Sequence, residues 1–151
     1  MTIRSVETWM LRFPSNREAA ERSDEFFELI GVTVEDTSGA RGSGFTFTSD
    51  YGGGEAVKAL LDTLLVRRLV GRDVIDIDAI NEDLLHVTHR LGFGIASLAI
   101  AAVDIGLWDL RARMAGVSVA RARTGARPRA GVWKRQGEPH AADRRPGRAF
   151  R

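Results

Sequence analysis

Four carboxylates lie close together in one short stretch of the chain, where they could bind a metal ion. They are Asp76, Asp78, Glu82 and Asp83. Carboxylate oxygens are the ligands that Mg²⁺ and Ca²⁺ prefer in proteins. Asp76 and Asp78 also begin a run with helical spacing, where acidic side chains interact favourably with the positive end of the helix dipole. We therefore predict a helix start with a solvated acidic face rather than a metal site.

Two histidines and a glycine run are the other groups whose spacing could serve chemistry. His86 and His89 are three residues apart, so both imidazoles could share a helix face and ligate a metal. No third ligand is placed beside them, and a solvated or interface role is the stronger hypothesis. Gly52, Gly53 and Gly54 could cradle a phosphate, but the Lys-Ser or Lys-Thr pair of a nucleotide-binding loop is missing. A flexible loop is predicted there.

The length and composition indicate one domain with an oppositely charged tail. The chain has 151 residues, no cysteine and a formal net charge of +2. Residues 122–151 hold nine of the 22 basic side chains and two of the 20 acidic ones, a balance of +7 that leaves −5 for residues 1–121. Without cysteine, neither disulfides nor a thiolate metal site can stabilise the fold. We predict a domain over residues 1–121 and a basic tail over residues 122–151.

The apolar segments indicate a cytoplasmic protein. Residues 1–7 lack the apolar stretch of a secretory signal peptide. The longest apolar run, residues 98–103, is far shorter than the roughly 20 residues that a membrane-spanning helix needs. No membrane partner is therefore expected.

The first third of the chain has the alternation and the turn residues of β-strands. Strands are predicted over residues 2–12, 25–35 and 40–49. The turn at residues 36–39 contains Asp, Ser and Gly, which favour tight backbone geometry. Residues 17–24 are predicted to be a polar connector. Three sequential strands joined in this way make an antiparallel meander.

Three apolar stripes with helical spacing follow the strands. The first runs over residues 55–69 and stops at Gly71, and the second runs over residues 76–91 and stops at Gly92. The third covers residues 94–116. Its predicted packing face is Ile95, Leu98, Ile105 and Leu110, with the small residues Ala99, Ala102 and Gly106 leaving room for close approach. Strands followed by helices predict an α+β fold in which a helical layer covers one face of the sheet.

The third helix carries a specific motif. Residues 99–113 are AIAAVDIGLWDLRAR, with two acids at Asp104 and Asp109 and a basic end at Arg113. This segment resembles the signature helix of the mandelate racemase and muconate lactonizing enzymes of the enolase superfamily, although Gly106 replaces the family's usual alanine. The resemblance covers about residues 2–121. It ends abruptly at residues 122–124, which are Ala-Arg-Thr where the family has Leu-Leu-Gly.

The resemblance implies a fold and an activity. The superfamily begins with an α+β capping domain and continues into a (β/α) barrel that carries three Mg²⁺-binding carboxylates and a Lys or His base. Its enzymes abstract the proton α to a carboxylate, and Mg²⁺ stabilises the enediolate. Residues 12–14 and 42–48 resemble the sugar-acid dehydratases in particular. The only lysines, Lys58 and Lys134, form no K-x-K pair. Because the resemblance places all of these groups on the barrel, beyond the part that this chain resembles, the chain is expected to hold no catalytic residue, metal site or cofactor and to be inactive alone.

The resemblance also implies candidate site residues. In the family, the loops after the first and third strands lie over the barrel mouth, where they close the site and help to select the substrate. Hydroxyl and carboxylate groups in the second loop suit a polyhydroxy acid, and an ordinary exposed turn is the alternative. The matching residues are Phe13, Pro14, Ser15, Asn16 and Arg17 in the first loop and Phe47, Thr48, Ser49, Asp50 and Tyr51 in the second.

Three hypotheses account for the tail. Its arginines, with Trp133 or Phe150, could bind nucleic acid through phosphate contacts and base stacking. It could instead be a disordered segment that buries too little apolar surface to fold. A shifted reading frame or a natural truncation fits the abrupt end of the resemblance best.

The favoured interpretation is the capping domain of an acid-sugar dehydratase or racemase, with a barrel domain or a second copy of the chain as partner. A nucleic-acid-binding module with a basic tail is the alternative. A purely structural domain that docks on a separate barrel chain is the third hypothesis.

Overall fold

The computed structural model describes residues 1–22, 25–49 and 52–124, which form a three-stranded antiparallel sheet and a layer of helices. Strand β1 covers Ile3–Pro14, β2 covers Phe26–Asp36 and β3 covers Arg41–Ser49. The strands lie in the order β1-β2-β3, so β2 is central and pairs with both neighbours. The predicted meander is confirmed.

The inward face of β2 forms the centre of the core. Alternate β2 side chains point towards the helices, and Ile30, Val32 and Val34 are fully buried there. The helices are α1 (Arg17–Arg22), α2 (Gly54–Leu60), α3 (Val66–Leu69), α4 (Ile77–Thr88), α5 (Ile95–Met114) and α6 (Val119–Thr124). A π-helical turn, Leu61–Leu65, joins α2 to α3, and a 3₁₀ turn, His89–Leu91, follows α4. This architecture confirms the predicted α+β fold.

Helices α2 and α3 form one rod through the π-helical turn. Val57, Leu61, Leu65 and Leu69 recur every four residues, and all four are fully buried. In a regular α-helix, side chains four residues apart are rotated by about 40° relative to each other around the helix axis. The wider π-helical turn offsets this rotation. The four large side chains therefore stay on the side of the rod that faces the core.

Helix α5 approaches β3 closely because β3 has glycines where the two elements meet. A Cβ atom at Gly42 would lie 2.2 Å from the backbone nitrogen of Leu110. A Cβ atom at Gly44 would lie 2.0 Å from the carbonyl oxygen of Ala102. Neither strand position has room for a side chain. On the helix, a Cβ atom at Gly106 would lie 3.3 Å from the backbone nitrogen of Gly44, so this predicted small residue does lie at the close contact.

The predicted packing face of α5 is wrong at two positions. Ile95 and Ile105 are 45% and 44% exposed, whereas Leu110 is fully buried as expected. The glycines of β3 bring the axis of α5 so close to the sheet that mainly the small residues of the helix fit between them. The buried residues of α5 are Ala96, Ala99, Ile100, Ala102, Val103, Gly106, Leu107, Leu110 and Ala112.

Two further differences concern the connections. Residues 17–22 form α1 rather than a polar connector, in keeping with the high helix propensity of their Glu, Ala and Arg residues. Helix α6 continues through residue 121, where the predicted domain ends. The predictions for the tail beyond Thr124 lie outside the described residues. Among the described helices, none is long and apolar enough to cross a lipid bilayer.

Candidate functional site

The two predicted loops leave the sheet at the same end. Pro14 and Ser49, the last residues of β1 and β3, pair with the first two residues of β2. Because β1 and β3 both run antiparallel to β2, their final residues flank the start of β2 on either side. We call this the loop end of the sheet, and we call residues 12–17 its first segment and residues 47–49 and 52–54 its second segment.

The first segment is short and leads directly into α1. The backbone N–H of Ser15 donates to the carbonyl oxygen of Glu25 at 3.1 Å, and the Ser15 hydroxyl donates to the Glu25 carboxylate at 3.3 Å. The carbonyl oxygen of Asn16 accepts the N–H of Ala20, which starts the helix at Arg17. Asn16 and Arg17 are exposed. Asn16 and Arg17 are therefore accessible to solvent, whereas the Ser15 hydroxyl is bonded to Glu25.

The second segment turns through glycines into α2. Gly52 and Gly53 have φ angles of 74° and 104°, a conformation that glycine adopts without steric cost. The carbonyl oxygen of Gly53 accepts two N–H groups from the first turn of α2. Ser49 is exposed at the end of β3. The predicted site residues Asp50 and Tyr51 lie outside the described residues.

One buried carboxylate, that of Glu28 on β2, joins the two segments. Glu28 is 3% exposed. Its Oε1 accepts hydrogen bonds from the guanidinium of Arg12, with Nε at 3.0 Å. Its Oε2 accepts the hydroxyl of Thr48 and the backbone N–H of Gly54, both at 2.9 Å. Each oxygen thus binds one side of the loop end, because Arg12 begins the first segment whereas Thr48 and Gly54 belong to the second.

These contacts explain why Glu28 is charged although it is buried. The Arg12 guanidinium lowers the pKa of the Glu28 carboxyl most, and the Gly54 N–H and the Thr48 hydroxyl lower it further. Burial acts in the opposite direction, since the charged form loses hydration. The net direction of the pKa shift is downward. Glu28 is therefore a fixed anion at neutral pH.

Glu28 is not among the site residues predicted from the sequence, although the strand pattern contains a signal for it. Glu28 has the same parity along β2 as Ile30, Val32 and Val34, so the alternation of a strand places its carboxylate on the buried face. A charged group among core residues needs partners to offset its lost hydration. The parity of β2 could thus have identified Glu28 as a buried polar centre, though not its partners.

Three phenylalanines of the loop end, Phe13, Phe27 and Phe47, lie on the opposite face of the sheet. The rings of Phe13 and Phe47 flank that of Phe27, with ring centroids 6.0 Å and 6.4 Å from it. Phe13 and Phe47 remain 45% and 57% exposed. The predicted site residues are therefore divided, because Thr48 faces Glu28 and the helices while Phe13 and Phe47 form an exposed aromatic row.

The acidic residues around the start of α4 do not form a ligand set. Asp83 pairs with Arg68 and Arg72 at 3.4 Å and 3.5 Å. Asp76 precedes the first residue of α4 and Asp78 lies in its first turn, as predicted for a helix start. In the part of the chain that the structure describes, no three His, Asp or Glu side chains are close enough to hold a metal ion. These residues do not fit a resident Mg²⁺.

The two histidines contact each other at the end of α4. The rings of His86 and His89 stack with their centroids 5.8 Å apart, and Nδ1 of His89 lies 2.6 Å from the carbonyl oxygen of His86. Both side chains are exposed. This geometry agrees with the predicted solvated face.

The fold and its loop end define an α+β capping domain. The family model for the mandelate racemase / muconate lactonizing enzyme N-terminal domain matches residues 1–121. The chain therefore belongs to the mandelate racemase / muconate lactonizing enzyme family, of which it carries the N-terminal domain. This match confirms the resemblance of the signature helix, and it does not favour the alternative of a nucleic-acid-binding module.

The relatives include a cycloisomerase, a dehydratase and a racemase. A 3,6-anhydro-α-L-galactonate cycloisomerase of Streptomyces coelicolor is 39% identical over 109 residues, which are 72% of this chain and 26% of the relative. An L-talarate/galactarate dehydratase of Salmonella typhimurium is 34% identical over 94 residues, which are 62% of this chain and 23% of the relative. A racemase from Streptomyces coelicolor A3(2), solved with bound magnesium, has a TM-score of 0.66 and 38% identity over 75% of this chain and 31% of that chain. This chain thus spans about a quarter of the length of the curated relatives.

Proposed function

We propose that this chain is the substrate-capping domain of an enzyme that abstracts the proton α to the carboxylate of an acid sugar, for dehydration, cycloisomerisation or racemisation. The geometry of the loop end supports this proposal most directly. Two segments with exposed polar side chains leave the sheet together there, and the carboxylate of Glu28 connects them. The names of the similar proteins suggest the substrate class.

The exposed side chains of the loop end suit an acid sugar. Arg17 offers a guanidinium, which pairs well with a carboxylate. Asn16 and Ser49 offer amide and hydroxyl groups, which can bond to substrate hydroxyls. We assign closure of the site and selection of the substrate to these groups, and no proton transfer.

The chemical step needs groups that the described residues do not assemble. Abstraction of a proton next to a carboxylate needs a cation that stabilises the enediolate and a base aligned with the proton. Residues 1–22, 25–49 and 52–124 contain no ligand set for such a cation. We therefore propose that this chain is inactive alone and needs a barrel domain, on a separate chain or on a continuation of this one. The proposed site of action is the cytoplasm.

The test measures the chain alone and together with a barrel. The purified chain is assayed with Mg²⁺ on galactarate, talarate and 3,6-anhydro-galactonate, before and after mixing with the barrel domain of the Streptomyces coelicolor cycloisomerase. We expect no turnover by the chain alone and more turnover by the mixture than by the barrel domain alone. A mixture no more active than the barrel contradicts the capping role. Turnover by the chain alone that a chelator abolishes contradicts the assignment of the chemical step to the barrel.

A further inference from the structure

We propose that Glu28 is a positioning residue that couples the two segments of the loop end, so that ordering one segment orders the other. What the loop end binds rests on the proposed function, whereas the coupling is a property of this chain alone.

The coupling follows from a row of three residues across the sheet. Arg12, Glu28 and Thr48 are paired in register on β1, β2 and β3. Neighbouring strands are about 4.8 Å apart, so the two edge strands are separated by roughly twice that distance. Arg12 and Thr48 bind opposite oxygens of the one carboxylate between them. A shift of either partner therefore changes the position of the group that holds the other.

The start of α2 is built around the same carboxylate. A Cβ atom at position 54 would lie 2.7 Å from Oε2 of Glu28, so only glycine lets the helix start come this close. The N–H of Gly54 is one of the first-turn donors that have no partner within the helix. Loss of the carboxylate leaves this buried N–H without its acceptor, which disturbs the glycine turn before it.

Glu35 is a matched carboxylate outside the loop end. It is also on β2 and almost fully buried. It accepts hydrogen bonds from Arg4 and Arg41, with Nε of Arg41 at 2.9 Å, at the opposite end of the sheet. Glu28 and Glu35 thus share residue type, strand and burial, although the alternation of β2 places them on opposite faces of the sheet, and the partners of Glu35 lie away from the loop end.

Hydrogen exchange resolved along the full chain, without ligand, tests the coupling. Thr48→Val removes one hydroxyl of the second segment and keeps the shape of the side chain. We expect the amides of residues 15–17, in the first segment, to exchange about three- to tenfold faster. Thr48→Ser should restore the wild-type rate. Thr46→Val makes the same change on the same strand beside Ile30, and it should leave residues 15–17 unaffected.

Glu28→Gln completes a double-mutant cycle. In this variant residues 15–17 and 52–56 should both exchange faster, and the addition of Thr48→Val should change residues 15–17 no further. Glu35→Gln should not affect these two segments selectively. If Glu28→Gln does not fold, the comparison of the Thr48 and Thr46 variants decides alone.

A different result is expected if Glu28 stabilises the fold but does not couple the two segments. Exchange would then rise along the chain in proportion to each variant's own loss of global stability, with no selective acceleration of residues 15–17 and 52–56 in Glu28→Gln. That outcome, or an unchanged rate at residues 15–17 in Thr48→Val, overturns the proposal. The substrate assay remains a separate test. If exchange is coupled but the barrel mixture gains no activity, the coupling stands and the capping function is refuted. If the mixture gains activity but exchange is not coupled, the capping function stands and the coupling is refuted.

Discussion

The two ends of the sheet are held together by different kinds of contact. At the hairpin end, formed by Asp36 and the turn at residues 37–39, the Asp36 carboxylate accepts the backbone N–H groups of Ser38 and Ala40 at 2.8 Å and 2.9 Å. These partners lie two and four residues away in the sequence. At the loop end, the partners of Glu28 are 16, 20 and 26 residues away.

The sequence separation of the partners determines what each end can do. Local bonds from an aspartate to the following backbone close a tight turn and fix it. Bonds from one carboxylate to three distant residues instead connect separate segments, and each segment keeps its own exposed side chains. The hairpin end is therefore a single fixed turn, whereas the loop end connects separate segments, as the proposed capping role requires.

The largest expected effect comes from removing the two buried glutamates of β2. Glu28→Ala should lower the free energy of unfolding by about 3 kcal/mol, because the buried N–H of Gly54 and the Thr48 hydroxyl lose their acceptor. Glu35→Ala should cost about 1 kcal/mol, since its largely exposed arginines can return to water. Urea unfolding followed by circular dichroism measures both values. Equal losses would remove the contrast between the two ends.

Two glycines give a smaller effect with two different causes. Gly39→Ala, at the hairpin end, should cost about 1–2 kcal/mol because residue 39 has a φ of +86° and no close neighbour. Gly54→Ala should cost about 1–3 kcal/mol because the new methyl group meets Glu28. In a Glu28→Ala background the cost of Gly54→Ala should fall, while that of Gly39→Ala should persist. Additive costs for both glycines would show that Gly54 is not matched to Glu28.

The fold could be predicted further than the site could. Alternation, the Asp-Thr-Ser-Gly turn and the helical stripes are local patterns, and they predicted three strands and the long helices. The orientation of α5 could not be predicted, because α5 has apolar residues on all sides. Only its packing against Gly42 and Gly44 selects the small-residue face. The loop end followed from strand order, whereas the partners of Glu28 depend on long-range packing.

Acid should weaken both ends of the sheet. The Arg12 guanidinium contributes most to the lowered pKa of Glu28, and the Ser38 hydroxyl contributes most to the lowered pKa of Asp36. A carboxyl whose folded pKa is below its unfolded pKa stabilises the protein above the unfolded pKa, and this contribution is lost as the pH falls through the folded pKa.

We therefore expect the urea concentration at the unfolding midpoint of the wild type to decrease as the pH is lowered below about 4. The fall should be shallower in Glu28→Gln and in Asp36→Asn. Hydrogen exchange separates the two ends, because amides 52–56 should lose their acid response in Glu28→Gln alone. An unchanged acid response of these amides in Glu28→Gln would show that Glu28 is not the group that titrates at the loop end.

Two serines should show the smallest effect on stability and the clearest division of roles. Ser49 is exposed at the end of β3, so Ser49→Ala should change the free energy of unfolding by less than about 0.5 kcal/mol. Ser38→Ala removes a hydroxyl that donates to the Asp36 carboxylate at 2.6 Å, and it should cost about 1 kcal/mol. The order should reverse in the assay with a barrel domain. If the proposed capping role holds, Ser49→Ala should lower kcat/KM because the loop end loses a hydroxyl, whereas Ser38→Ala, at the opposite end of the sheet, should leave kcat/KM unchanged. If both variants lose activity only in proportion to their loss of stability, the loop end and the hairpin end do not differ in their contribution to binding.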